Sequence, residues 1–176
     1  MLVDFFYLVS ELKKVPRKGW KDKVGIEYPE SVADHSFVTA IMAMIISDST
    51  DLDQEKTIKM ALLHDLAESL IGDFMPDEIL KEQKRIAEID AMKEILSTLP
   101  VNLSKSYDDV WQEYIQEKSR ESIFVHDIDK LEMAVQAAKY SSEGFSEQKL
   151  QLFVESARKE IKSEEILSIL DTISYK

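Results

Sequence analysis

Glycine and proline are scarce in this chain, 4 of each in 176 residues, and the apolar residues between them recur at helical rather than alternating spacing. A chain so poor in turn formers reads as all-α. Leu2, Phe5, Phe6, Val9 and Leu12 form the stripe of a first helix that stops before Pro16. Pro16, Gly19, Gly25 and Pro29 hold half of all the glycines and prolines. They mark the longest irregular segment, and its Trp20, Ile26 and Tyr28 speak for a binding loop over disorder.

Ser31, with Asp34 three residues on, caps a second helix through Val38, Ile41, Met42, Ile45 and Ile46. Its other positions include Ala40, Ala43 and Met44, so it is apolar on most sides and expected to be central. Asp53 caps a third helix carrying Ile58, Leu62, Leu63, Leu66 and Leu70, with Gly72 as its left-handed end. A fourth runs from about Asp77 to Leu99, stopped by Pro100. Val110, Trp111, Tyr114 and Ile115 suggest a short helix, and Ile123 to Val135 a longer one ending near Gly144. Two C-terminal segments contain Phe153, Val154 and Ile161, then Ile166, Ile169, Leu170 and Ile173. The expectation is a single all-helical domain over residues 1–176, a bundle of about six to eight helices without repeat or linker.

The charge balance excludes some functions. With 34 acidic against 22 basic residues the net charge is -12, which opposes a long run of phosphate contacts with nucleic acid. The strongly apolar stretch from Phe37 to Ile46 falls short of the roughly 20 residues a membrane span needs. The start, Met1-Leu2-Val3-Asp4, lacks the basic region and cleavage site of a signal peptide. A soluble cytoplasmic protein is expected. Without cysteine, any metal site has to use imidazole and carboxylate, a donor set suited to Mn, Fe, Co, Ni or Zn.

Of the three histidines, two stand beside an aspartate in apolar helices, as Asp34-His35 and His64-Asp65. Asp127, Asp129 and Lys130 likewise interrupt the apolar run from Val125 to Leu131. Burying such groups is costly unless they are paired or bind a metal. Glu68 shares a helix face with His64 and Asp65, and Gly72-Asp73 follows where the chain can turn a second carboxylate back. By spacing alone a His-Asp pair is a weak signal.

The set Ser31-Val32-Ala33-Asp34-His35, Ala61-Leu62-Leu63-His64-Asp65-Leu66-Ala67-Glu68, Ile71-Gly72-Asp73 and Asp129-Lys130-Leu131-Glu132 resembles the HD-domain metal-dependent phosphohydrolases. Together with Val15-Pro16-Arg17-Lys18-Gly19-Trp20 it is similar to their small 5'-deoxynucleotidase branch. The resemblance covers nearly the whole chain, with the last 30 or so residues matching most loosely. It implies that His35, His64, Asp65 and Asp129 ligate one divalent ion (Mn, Co, Fe, Ni, Zn or Mg) from three helices, with room for water and a phosphate oxygen. Glu68 matches the catalytic carboxylate, and Asp73 the group that positions substrate or assists proton transfer. Arg17 matches a phosphate fork, and Trp20 a residue stacking on substrate or packing on its sugar.

The implied activity is hydrolysis of deoxyribonucleoside 5'-monophosphates by metal-activated water. Alternatives are another nucleotide or small phosphoester, or a non-catalytic interaction protein whose metal only staples helices. The branch is commonly dimeric, and the apolar faces of the last helices are the expected contact. His126 has no counterpart among the ligands and is expected, like Asp127, to be structural, so a second metal is disfavoured.

Overall fold

The computed structural model describes residues 2–75 and 78–173. Among them are nine α-helices: α1 (Leu2–Glu11), α2 (Val32–Ser47), α3 (Gln54–Leu63), α4 (Glu68–Ile71), α5 (Lys81–Ser97), α6 (Val101–Gln116), α7 (Arg120–Ser142), α8 (Glu147–Glu160) and α9 (Glu164–Asp171). No strand occurs among the described residues. None of the helices is long and apolar enough to cross a membrane.

The caps follow the sequence. Ser31 accepts the Asp34 N–H while the Asp34 carboxylate accepts the Ser31 N–H, a complete capping box. Asp53 accepts the Lys56 N–H and Ser119 the Ser122 N–H at the starts of α3 and α7. Asp77, where the sequence places the start of the fourth helix, lies outside the described residues; α5 itself opens at Lys81.

The structure departs from expectation in three places. The third helix does not run to Leu70: α3 ends at Leu63, residues 64–67 form a tight turn, and α4 starts again at Glu68. In the turn, Leu66 N–H bonds to Leu63 O and Glu68 N–H to Asp65 O, both three residues back, so the chain is wound tighter than an α-helix. Gly72 has φ 77 but an extended ψ of 171, so it redirects the chain rather than closing a left-handed cap. The short helix around Trp111 is instead the 16-residue α6, which opens at Val101 directly after Pro100 and buries Trp111 and Tyr114 in its second half.

The third departure concerns which helix is central. α7, 23 residues long, packs against α2, α3, α6, α8 and α9. α2 presents small and polar residues inward, among them Ala40, Ala43, His35 and Thr39, and leaves Phe37, Val38, Ile41 and Ile45 exposed. The apolar faces of the last helices are spent on the core, where Leu150, Ile166 and Leu170 are buried.

Two apolar clusters result. One joins Met60, Ala61, Ile128, Leu131, Leu150 and Ile166; the other joins Leu12, Val32, Leu63, Leu66, Met92, Ile95 and Trp111. At about 25 cal/mol per Å2 of buried apolar surface, these clusters supply the main force for folding. Residues 60–66 pass from one cluster to the other, which fixes the turn holding His64 and Asp65 between them.

The irregular segment after α1 is an ordered loop. Arg17 N–H bonds to Glu30 O at 3.0 Å and Val32 N–H to Val15 O at 2.9 Å, closing it beside the start of α2. Inside lies a π-turn, Trp20–Val24, ended by Gly25 at φ 93, a conformation that favours glycine.

Candidate metal centre

Each imidazole in the centre has one nitrogen tied down. His35 Nδ1 lies 2.5 Å from Glu132 Oε2, and His64 Nδ1 donates to Ala61 O at 2.7 Å. With Nδ1–H engaged, each ring presents the lone pair of Nε2, and the two Nε2 atoms are 3.2 Å apart. Carboxylates stand on both sides: Asp129 Oδ1 is 3.1 Å from His35 Nε2, and Asp65 Oδ2 is 3.1 Å from His64 Nε2 and 3.7 Å from His35 Nε2. Potential ligand atoms of His35, His64 and Asp129 all lie within 4.8 Å of one another.

This arrangement suits a cation. Two nitrogens each about 2.1 Å from one ion at a roughly right angle stand about 3 Å apart, close to the separation found. Without a cation, two converging lone pairs and two carboxylates would repel. The electrostatics carry the same sign: burial and the Arg17 charge oppose protonation of His35, but hydrogen bonds to Asp129 and Glu132 outweigh them and raise it to about 10. A proton or a metal ion meets that demand for positive charge. Burial pushes Asp65 and Asp129 upward, yet the histidines, Arg17 beside Asp65 and Lys130 beside Asp129 hold both below the usual carboxylate range.

Glu68 lies at the first turn of α4, only 3% exposed. Its Oε1 is 3.6 Å from Lys84 Nζ, and its Oε2 is buried without a hydrogen-bond partner. Burial, with the charges of Asp65 and Asp73, pushes Glu68 well above the ordinary carboxylate range. A buried carboxylate whose proton affinity is raised in this way, with a free oxygen in the same cavity as His64, Asp65 and Asp129, is equipped to accept a proton and give it back there.

Asp73 accepts the Lys18 N–H at 2.7 Å, clipping the loop to the chain that follows α4. Arg17, on that loop, reaches Asp65 with Nη1 3.4 Å from Oδ2. Trp20 is 2% exposed: its indole N–H donates to Glu30 Oε1 at 2.8 Å and its ring packs on Phe153 at 4.3 Å. It therefore serves the core while also lining a cavity with Phe74, Met75 and Phe153. Arg17, His64, Asp65, Glu68, Asp73 and Asp129 line one cavity, His35 lies buried against His64 and Asp129, and Trp20 stands in the wall of a second cavity.

Two residues are given no role by the sequence. Glu132 is 1% exposed and lies three residues beyond Asp129, on the same face of α7, so i,i+3 spacing was a signal for it. Glu30, close to His35 and Glu132, comes from the irregular loop, where no periodicity could point to it. His126 stacks on Tyr114 at 4.0 Å and bonds to Tyr114 O, at the edge of the cavity that holds His64 and Asp129. Asp127 accepts the backbone N–H groups of Lys162 and Ser163, bracing the start of α9.

Residues 9–168 match the HD domain family. The chain belongs to the HD domain family. It is 38% identical over 173 residues to the human protein named 5'-deoxynucleotidase HDDC2, covering 98% of this chain and 84% of that one. It is 42% identical over 167 residues to the Dictyostelium discoideum protein of that name, covering 89% and 87%. Among solved structures, a conserved hypothetical protein from Pyrococcus furiosus superposes with a TM-score of 0.79 at 30% identity, covering 97% of this chain and 98% of that one. An HD domain takes a divalent metal, and the cluster around His35 and His64 is able to bind one.

Proposed function

We propose that the protein is a phosphomonoesterase that hydrolyses deoxyribonucleoside 5'-monophosphates to deoxynucleoside and phosphate. The carrying observation is the pair of Nε2 atoms 3.2 Å apart, flanked by Asp65 and Asp129, with the buried Glu68 lining the same cavity. Curated relatives named as 5'-deoxynucleotidases, at 38% and 42% identity, support the choice of substrate.

His35, His64, Asp65 and Asp129 would hold one divalent ion, drawn from Mn, Co, Fe, Ni, Zn and Mg. Polarisation of the phosphoryl group and acidification of a water are the chemistry such an ion supplies. Glu68 Oε2 orients the attacking water and takes one of its protons. As the P–O5' bond breaks, the same carboxyl group gives a proton to the leaving O5', so water is split between phosphate and deoxynucleoside. Arg17 offers its guanidinium to the phosphate, Asp73 holds the loop and positions substrate, and Trp20 bounds the sugar side.

The whole of residues 1–176 is read as one HD domain, working in the cytoplasm as a homodimer. The dimer contact is assigned to the exposed α2 face of Phe37, Val38, Ile41 and Ile45, the last helices having buried their own apolar faces.

The test is phosphate release from a panel of ribo- and deoxyribonucleoside monophosphates with each candidate ion. Deoxy substrates should be turned over preferentially; equal turnover of the ribo series defeats the deoxy-specific reading, and no release with any ion defeats the hydrolytic one.

A further inference from the structure

Two cavities adjoin at the candidate centre, of about 570 and 410 Å3. The larger contains His64, Asp65, Glu68 and Asp129, and beyond them its walls are mainly charged or polar, with Arg85, Glu88, Gln116 and Glu117. Away from the larger cavity, the smaller is walled mainly by Trp20, Phe74, Met75, Met133 and Phe153, with Lys23 and Ser156 among them. It is narrow on the loop side: a Cβ on Gly19 would stand 3.2 Å from a Phe153 ring carbon and 3.6 Å from the Met75 sulfur.

Five residues border both cavities, and all are charged: Arg17, Asp73, Lys84, Lys130 and Glu160. In a chain of net charge -12, this seam sets three cations against two carboxylates, a local excess of positive charge that suits an anion. Their present ion pairs are loose. Lys84 Nζ is 3.6 Å from Glu68 Oε1 and 3.5 Å from Glu88 Oε1. Lys130 Nζ is 3.1 Å from Asp129 Oδ2 and 3.5 Å from Glu160 Oε2, and Arg17 Nη1 is 3.4 Å from Asp65 Oδ2. Charge-assisted bonds run about 2.7–2.9 Å, and a lysine carries three donors, an arginine five. Each cation thus keeps N–H groups for a further acceptor.

We propose that Lys84 and Lys130 complete, with Arg17, a seat for the substrate phosphate at this seam, and that the seat turns the nucleoside into the apolar cleft beside Phe153. The inference rests on the hydrolytic reading above and deepens it. A phosphate at the seam touches the cavity that holds the ligand cluster, while the uncharged base and deoxyribose meet walls that are mainly apolar beyond the seam. Substrate contacts then come from α5, α7 and α8 as well as from the loop.

The test uses the metal-loaded protein and the two products, inorganic phosphate and deoxyadenosine, titrated separately by calorimetry. Lys84→Gln and Lys130→Gln should each weaken phosphate about tenfold and leave deoxyadenosine unchanged. Lys84→Arg should retain phosphate, and matching circular dichroism spectra check the folds. Ser156→Trp, which fills the apolar cleft, should weaken deoxyadenosine about tenfold and spare phosphate. Gln116→Trp, in the opposite cavity, should alter neither. Phosphate that fails to bind the unaltered protein, or binds both glutamine variants equally well, overturns the seat. Deoxyadenosine that fails to bind, or is displaced by Gln116→Trp instead of Ser156→Trp, overturns the orientation. Because these are equilibrium measurements on products, they stand apart from the nucleotide panel: phosphate release can fail there while the seat survives here, and the reverse.

Discussion

His35 Nδ1 and Glu132 Oε2 lie 2.5 Å apart in a part of the core closed to water, on side chains 97 residues apart in sequence. The carboxylate holds the ring in one orientation and keeps Nε2 free for a cation, as outer carboxylates do behind metal-binding histidines. Glu132→Gln should therefore weaken divalent-ion affinity by about 10–100-fold with helicity unchanged. Competition against a chromophoric chelator measures this, and an unaltered affinity would contradict the role.

Glu68→Gln keeps the shape of the side chain and removes its acid–base chemistry. The rate of phosphate release should fall by about 10²–10⁴-fold while metal content by elemental analysis stays at the level of the unaltered protein. Loss of the ion together with activity would instead make Glu68 part of the ligand set.

Burial and the nearby Glu132 charge raise Glu30 to about 7 against the pull of His35, the Trp20 hydrogen bond and Arg17. Its folded state thus binds a proton more tightly than the unfolded chain, whose glutamate titrates near 4.5. The stabilisation is fully present below that lower value and is lost as pH rises through about 7. In metal-free protein, urea unfolding between pH 4.5 and 7.5 should show Glu30→Gln gaining on the unaltered protein by on the order of 2 kcal/mol. Parallel curves would refute the shift.

Asp127 is 2% exposed, and its carboxylate accepts the N–H groups of Lys162 and Ser163 at 2.9 and 2.8 Å. Asp127→Ala leaves those donors unpaired between α7 and α9. A loss of about 2–4 kcal/mol in chemical denaturation is expected, with metal affinity within a few-fold of the original.

Ile41→Glu places a charge in the middle of the exposed apolar face of α2. Light scattering should find a dimer in the unaltered protein and a monomer in the variant, with the far-ultraviolet spectrum retained. A dimer in both would move the contact elsewhere.

Much of this arrangement could be read along the chain because its signals are local. The Ser31–Asp34 capping box, the Asp53 cap and the turn at Gly144 depend on residues a few positions apart. The ligand candidates stood out as polar groups in apolar helices. Periodicity failed where tertiary contacts decide. It could not show that residues 64–67 leave the helix while crossing between two apolar clusters, nor that α2 turns small residues inward and leaves Phe37, Val38, Ile41 and Ile45 exposed. Glu30 reaches the neighbourhood of His35 only through loop closure, and local patterns carry no trace of that.

The two backbone bonds that close the loop, Arg17 to Glu30 and Val32 to Val15, also join it to the first turn of the helix bearing His35. Arg17 and that imidazole therefore ride on one lever. If the proposed anion and cation sites are both filled, whatever draws the guanidinium inward would bear on the imidazole too, and any gain that one ligand conferred on the other would be returned in equal measure.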